Sequence, residues 1–132
     1  MIIYIDRTIA VHGDNVGLNE QESVLFSELA NAHQRGICLL CGAVESIEWL
    51  INHLEGMSRS IYSNIRNRFP RLKSIVDMVE TVLVLSYGNN PIIPDFIRGK
   101  ARTVNLTDAV EYKLGQQCSL VAENLNDCYF YK

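Results

Sequence analysis

The strongest constraint on the fold is an alternation along the chain. Short apolar runs of four to seven residues, each closed by a polar or glycine signal, are separated by stretches whose apolar residues recur at helical spacing. Ile2 to Ile5 is the first such run and ends at Asp6. A polar stretch holding Gly13, Asp14, Asn15 and Gly17 follows and reads as a loop. Asn19 with Glu22 three residues on forms a capping-box pattern, and Val24, Leu25, Leu29 and Ala32 continue at helical spacing to Gly36. Ile37 to Cys41 predicts the second strand. Gly42 breaks it, and Val44, Ile47, Leu50, Ile51 and Leu54 make the apolar stripe of a helix ending at Gly56.

A further helical pattern runs from Met57 to Phe69, and Pro70 begins another helix with Ile75, Val76 and Val79 inward. Thr81 to Tyr87 predicts the third strand. Gly88-Asn89-Asn90-Pro91 is a turn, and the segment with Pro94 and Gly99 reads as loop. Thr107 can cap a short helix from Asp108 to Leu114, after which Cys118 to Ala122 predicts a fourth strand. Strands alternating with helices need crossover connections. The expected fold is therefore α/β, a three-layer arrangement with a mostly parallel sheet of about four strands. Asp127 to Tyr131 resembles the opening of another helix, so the 132 residues are read as one domain and as a candidate N-terminal part of a longer polypeptide.

The 132 residues suffice for a hydrophobic core without disulfide or metal staples, and 48% apolar with 20% charged residues is a globular composition. The apolar runs fall far short of the roughly 20 residues that span a bilayer, and Met1 to Asp6 lacks the layout of a signal peptide. A cytoplasmic protein with no membrane partner is expected. Cys38 and Cys41 form a C-x-x-C pair, but a strand puts positions three apart on opposite faces, and Cys118 and Cys128 bring no nearby histidine. The cysteines are read as small buried hydrophobes rather than a zinc site.

Charge is segregated. Residues 1–55 carry a net −6 and residues 56–102 a net +5, within an overall −3. The basic block holds Arg59, Arg66, Arg68, Arg71 and Lys73, and the planar arginine fork suits phosphate. A nucleic-acid partner, RNA by preference, is the functional reading, and solvated helix faces are the structural one.

In a parallel α/β sheet, ligands bind beyond the carboxyl ends of the strands. Asp6 closes the first predicted strand, Glu45 opens the helix after the second, Asp108 opens a later helix, and Glu123 and Asp127 flank the turn after the predicted fourth strand. Converging carboxylates repel unless a hard cation neutralises them, which makes Mg²⁺ or Mn²⁺ the expected ion. Such an ion activates water for in-line attack on a phosphoryl group. The same residue types also serve as helix caps and dipole partners.

This order of acids resembles that of PIN-like nuclease domains across most of the chain. The resemblance implies a Mg²⁺- or Mn²⁺-dependent endoribonuclease with Asp6, Glu45 and Asp108 as catalytic and metal-binding residues and Asp127 as a fourth ligand. The chain departs from that pattern in Arg7-Thr8 after the first acid, in a short helix after Asp108, and in lacking the family's final strand. A second, local resemblance is to the opening of a TOPRIM domain, in Leu120-Val121-Ala122-Glu123-Asn124-Leu125-Asn126-Asp127. The D-x-D motif of a complete TOPRIM site is absent. His12, His33 and His53 are scattered, and no phosphate-cradling glycine motif or nucleophile motif occurs. The alternative to a nuclease is a catalytically silent nucleic-acid-binding or assembly domain, whose protein partner would meet the Tyr129-Phe130-Tyr131 end.

Overall fold

A computed structural model of the chain describes residues 1–54 and 71–118. Four strands form one sheet in the order β2-β1-β3-β4, every pairing parallel. They are β1 (Ile2–Ile5), β2 (Leu39–Gly42), β3 (Val82–Ser86) and β4 (Ala101–Asn105). The helices are α1 (Arg7–Val16), α2 (Glu20–Gln34), α3 (Val44–His53), α4 (Leu72–Asp77) and α5 (Leu106–Glu111), with one 3-10 turn at Asp95–Ile97. The expected α/β class with a parallel sheet between helical layers is what the chain adopts.

The strand pleat divides the core in two. Ile3, Ile5, Leu40 and Leu85 face one cluster with Ile9 of α1, Leu25, Phe26 and Leu29 of α2, Ile47 and Leu50 of α3, and Leu106 of α5. Ile2, Tyr4, Leu39, Cys41, Val82 and Val84 face the other, covered by Leu72 and Val76 of α4 and by Ile97. Burial on both faces explains why β1, β2 and β3 read as continuous apolar runs, since a sheet with one wet face would alternate. Cys38 and Cys41 accordingly fall into opposite clusters, as period two requires.

Three expectations are corrected. The stretch after Asp6 is the ten-residue α1, not a loop. Asp6 caps it by accepting from the Thr8 amide, and Ile9, Ala10, His12 and Gly13 form its buried face. Gly13 is there for space rather than for a turn: a Cβ would lie 2.5 Å from the Trp49 ring of α3. The fourth strand is Ala101–Asn105, in a stretch read as loop. Cys118 belongs to a helical segment, 114–118, and the rest of the expected strand lies outside the described residues. Finally, Asn105 rather than Thr107 caps α5, its side chain accepting from the Thr107 amide at 3.1 Å. The capping box at Asn19 and Glu22 is present as expected, with reciprocal bonds of 2.8 and 2.9 Å.

The expected helix from Met57 to Phe69, its successor's start at Pro70, and the terminal Asp127 to Tyr131 segment lie outside the described residues. No described helix is long and apolar enough to cross a membrane.

Candidate functional site at the carboxyl edge of the sheet

All four strands point the same way, so their carboxyl ends share one edge. The strand order reverses direction between β1 and β3: the chain passes from β1 outward to β2, then returns across β1 to β3 and β4. Such a reversal opens a crevice where doubly wound proteins hold ligands. Asp6 stands at the end of β1 in that position, and Tyr87 follows β3.

Asp6 is fully buried. Its amide extends the ladder by donating to the Leu85 carbonyl at 2.9 Å. Its carboxylate is shared between two elements. Oδ2 accepts from the Thr8 amide at 3.0 Å and from the Thr8 hydroxyl at 2.7 Å, while Oδ1 accepts from the Ile92 amide at 2.9 Å. Thr8 Oγ1 in turn accepts from the Tyr87 amide at 2.9 Å. The Asp6–Thr8 unit therefore pins both ends of the segment 87–92 across the crevice. On the other side, the buried Ser46 hydroxyl of α3 donates to the Asp6 carbonyl at 2.5 Å and accepts from the Ala10 amide at 3.2 Å. One serine thus ties β1, α1 and α3 together.

Glu45 and Asp108 sit differently. Both are exposed, Glu45 in the first turn of α3 and Asp108 in the first turn of α5. Helix N-termini favour carboxylates there, which is also the structural explanation for their presence. Tyr4 links Asp6 to Glu45: its buried phenol is pushed up to about 12, first by desolvation, then by the negative groups of Cys41, Asp6 and Glu45. Asp108 follows β4, two strands from β1, or about 10 Å at normal strand spacing.

Among the described residues, no group of three or more His, Cys, Asp or Glu side chains lies close enough to hold an ion. The donor chemistry nevertheless suits a hard cation, because all three acids are oxygen ligands and two are exposed. The Asp6 carboxylate already accepts three hydrogen bonds, which leaves it little free acceptor capacity for an ion. Asp127 lies outside the described residues.

A second group beside the crevice escaped the sequence reading. His12 of α1, one turn beyond Thr8, stacks on Tyr87 with ring centroids 3.7 Å apart, and its Nε2 lies 3.5 Å from Glu22 Oε2. Neither ring nitrogen makes a hydrogen bond among the described residues. The helical i, i+4 relation of Thr8 to His12 is the signal that would have found it, had α1 been recognised.

Of the basic block, Arg71 and Lys73 are described, and both are exposed at the start of α4. Arg59, Arg66 and Arg68 lie outside the described residues. The far end of α4 is fixed to the opposite edge, where Lys100 Nζ donates to the Val76 carbonyl at 2.7 Å. The comparisons with protein families, with curated proteins and with solved structures each found no match for this chain.

Proposed function

We propose that the chain is a cytoplasmic, metal-dependent nuclease domain of the PIN-like kind, cleaving RNA at the carboxyl edge of its sheet. The observation that carries this reading is that Asp6, Glu45 and Asp108, drawn from three separate connections, share that edge of an all-parallel sheet. Glu45 and Asp108 would hold Mg²⁺ or Mn²⁺ together with Asp6, and Asp127 would supply a fourth carboxylate. The ion, when bound, supplies an activated water and charge stabilisation for phosphodiester hydrolysis. The chain's own part is to orient the acids: Ser46 fixes the carbonyl of Asp6 and Thr8 holds Oδ2 of its carboxylate, so Oδ1, which accepts only from Ile92, would be the oxygen offered to the ion. Arg71 and Lys73, with Arg59, Arg66 and Arg68, would engage the RNA backbone, making binding salt-sensitive.

A second reading is favoured by the closed state of Asp6. A carboxylate that is fully buried and accepts three protein hydrogen bonds serves as a structural tie, as it would in a catalytically silent nucleic-acid-binding or assembly domain. The two readings part on the exposed acids. In the nuclease, Glu45→Gln and Asp108→Asn each lower Mn²⁺-dependent RNA cleavage at least a hundredfold without loss of fold. Wild-type protein inactive with every divalent ion, yet binding RNA in a salt-dependent manner, would establish the silent domain instead.

A further inference from the structure

Cys38 and Cys118 lie eighty residues apart in sequence and meet in the core. Cys38 leads into β2, and Cys118 ends the described helical segment 114–118. Both are fully buried in the same cluster, and their thiols hydrogen-bond each other. The Cys118 thiol also reaches Met1 Sδ at 3.4 Å, so three sulfur atoms gather beneath the start of the sheet. Cys41 has no part in this, being on the opposite face with its thiol 3.6 Å from the Ile3 carbonyl. The C-x-x-C spacing therefore points away from the true neighbour of Cys38.

The mutual hydrogen bond also separates the two thiols chemically. It holds Cys38 above the ordinary thiol range and draws Cys118 below it. Cys41, by contrast, is pushed up to about 12 by burial alone.

From this juxtaposition we infer that Cys38 and Cys118 form a redox-sensitive pair, which a hydroperoxide-class oxidant converts into a disulfide tying the helical segment at 114–118 to the sheet. One thiol of the pair, as its thiolate, attacks the peroxide, forming an S–O bond as the O–O bond breaks and, for hydrogen peroxide, a water leaves. The sulfur of the other then attacks the resulting sulfenic acid. An S–S bond forms, the S–O bond breaks and a second water departs, so two thiols and one peroxide give one disulfide and two waters. Because both sulfurs are buried, the oxidant enters when the helical segment opens locally, and the cross-link then closes that route. A bridge spanning eighty residues restricts the unfolded chain strongly.

The test uses the full chain, treated with hydrogen peroxide at neutral pH and compared with dithiothreitol-reduced protein. Remaining thiols are alkylated in denaturant and the cross-linked peptides are mapped by mass spectrometry. The expected result is loss of two of the four alkylatable thiols, a Cys38–Cys118 peptide pair, and a Tm raised by about 10 °C that dithiothreitol reverses. Cys41→Ser keeps all three effects, and Cys38→Ser removes them. The inference is overturned if the main product joins Cys118 to Cys128 or links two chains, or if Cys118 is driven to sulfinic acid with Cys38 still alkylatable. The peptide map of the wild-type chain decides this even if a serine variant fails to fold.

Discussion

Replacing Asp6 by Asn is the obvious probe of a nuclease, and the hydrogen bonds around it show that the probe is not silent toward the fold. The carboxylate serves three donors with two oxygens. An amide has one oxygen, best used on the Thr8 amide and hydroxyl, which turns its NH2 toward the Ile92 amide, donor against donor. A hydrogen bond to a charged acceptor contributes about 1.5–3 kcal/mol, and part of the loss is recovered because water reaches the exposed Ile92. The expected destabilisation is about 2 kcal/mol for Asp6→Asn and about 3 kcal/mol for Asp6→Ala, which also loses the α1 cap. For a chain of this size, Asp6→Asn should lower Tm by roughly 6–10 °C. The assay is urea unfolding followed by circular dichroism, run with a double-mutant cycle against Thr8→Val, whose hydroxyl meets the same carboxylate. The pair should be less than additive by about 1 kcal/mol. An Asp6→Asn variant within about 0.5 kcal/mol of wild type, or a strictly additive cycle, would refute the description of Asp6 as a satisfied structural tie.

Three further outcomes are expected. Gly13→Ala, which would gain up to about 1 kcal/mol in an unhindered helix, should instead lose about 1–3 kcal/mol because its Cβ meets the Trp49 ring, with a shifted emission from the single tryptophan; stabilisation would show that α1 and α3 are not packed as described. Ser46→Ala should cost about 1–3 kcal/mol in urea unfolding, since it strands the Ala10 amide and leaves the Asp6 carbonyl with the Ile9 amide as its remaining donor, and a neutral result would remove Ser46 from the site's framework. Tyr4 has a folded pKa near 12 against the unfolded 10, so its stabilising contribution is complete below pH 10 and is lost as pH rises toward 12. Absorbance at 295 nm should show a phenol titrating near pH 12, and Tyr4→Phe should remove that step.

The parts of the fold that were legible in the sequence are those governed by burial on both sides. β1, β2 and β3 are sandwiched between helical layers, so nearly every residue is apolar and the runs stand out. The Asn19–Glu22 box was legible because its spacing and its chemistry are the same fact. What was missed is what tertiary contacts decide. α1 carries glycine, aspartate and asparagine in its second half, residues that favour loops, yet Gly13 is needed by Trp49 and Asp14 accepts from the Trp49 Nε1–H at 2.8 Å. Those requirements come from α3, thirty-odd residues later. β4 is Ala-Arg-Thr-Val-Asn with two exposed positions, and no further strand pairs with it among the described residues. Its pattern is too polar to separate from a loop, whereas Cys118 and the apolar residues after it resembled a strand that the helical segment at 114–118 replaces at its first position.

The candidate site was legible to a similar depth. Sequence order put Asp6 and Glu45 beyond strand ends but Asp108 only at the opening of a helix, because β4, the strand that Asp108 follows, was read as loop; the parallel sheet is what gives the three a common edge. It did not convey that Asp6 and Thr8 form a clasp, although Asp-Arg-Thr before a helix is the signature of a side chain capping its own backbone two residues on. The clasp matters for function because it couples the acid to the segment 87–92. Ile92 can leave Oδ1 without disturbing Thr8, but Thr8 also holds the Tyr87 amide, and Tyr87 is stacked on His12 beside Glu22. In the proposed nuclease, an ion that recruits Asp6 would compete with the Ile92 amide alone and leave the Tyr87 anchor on Thr8 in place.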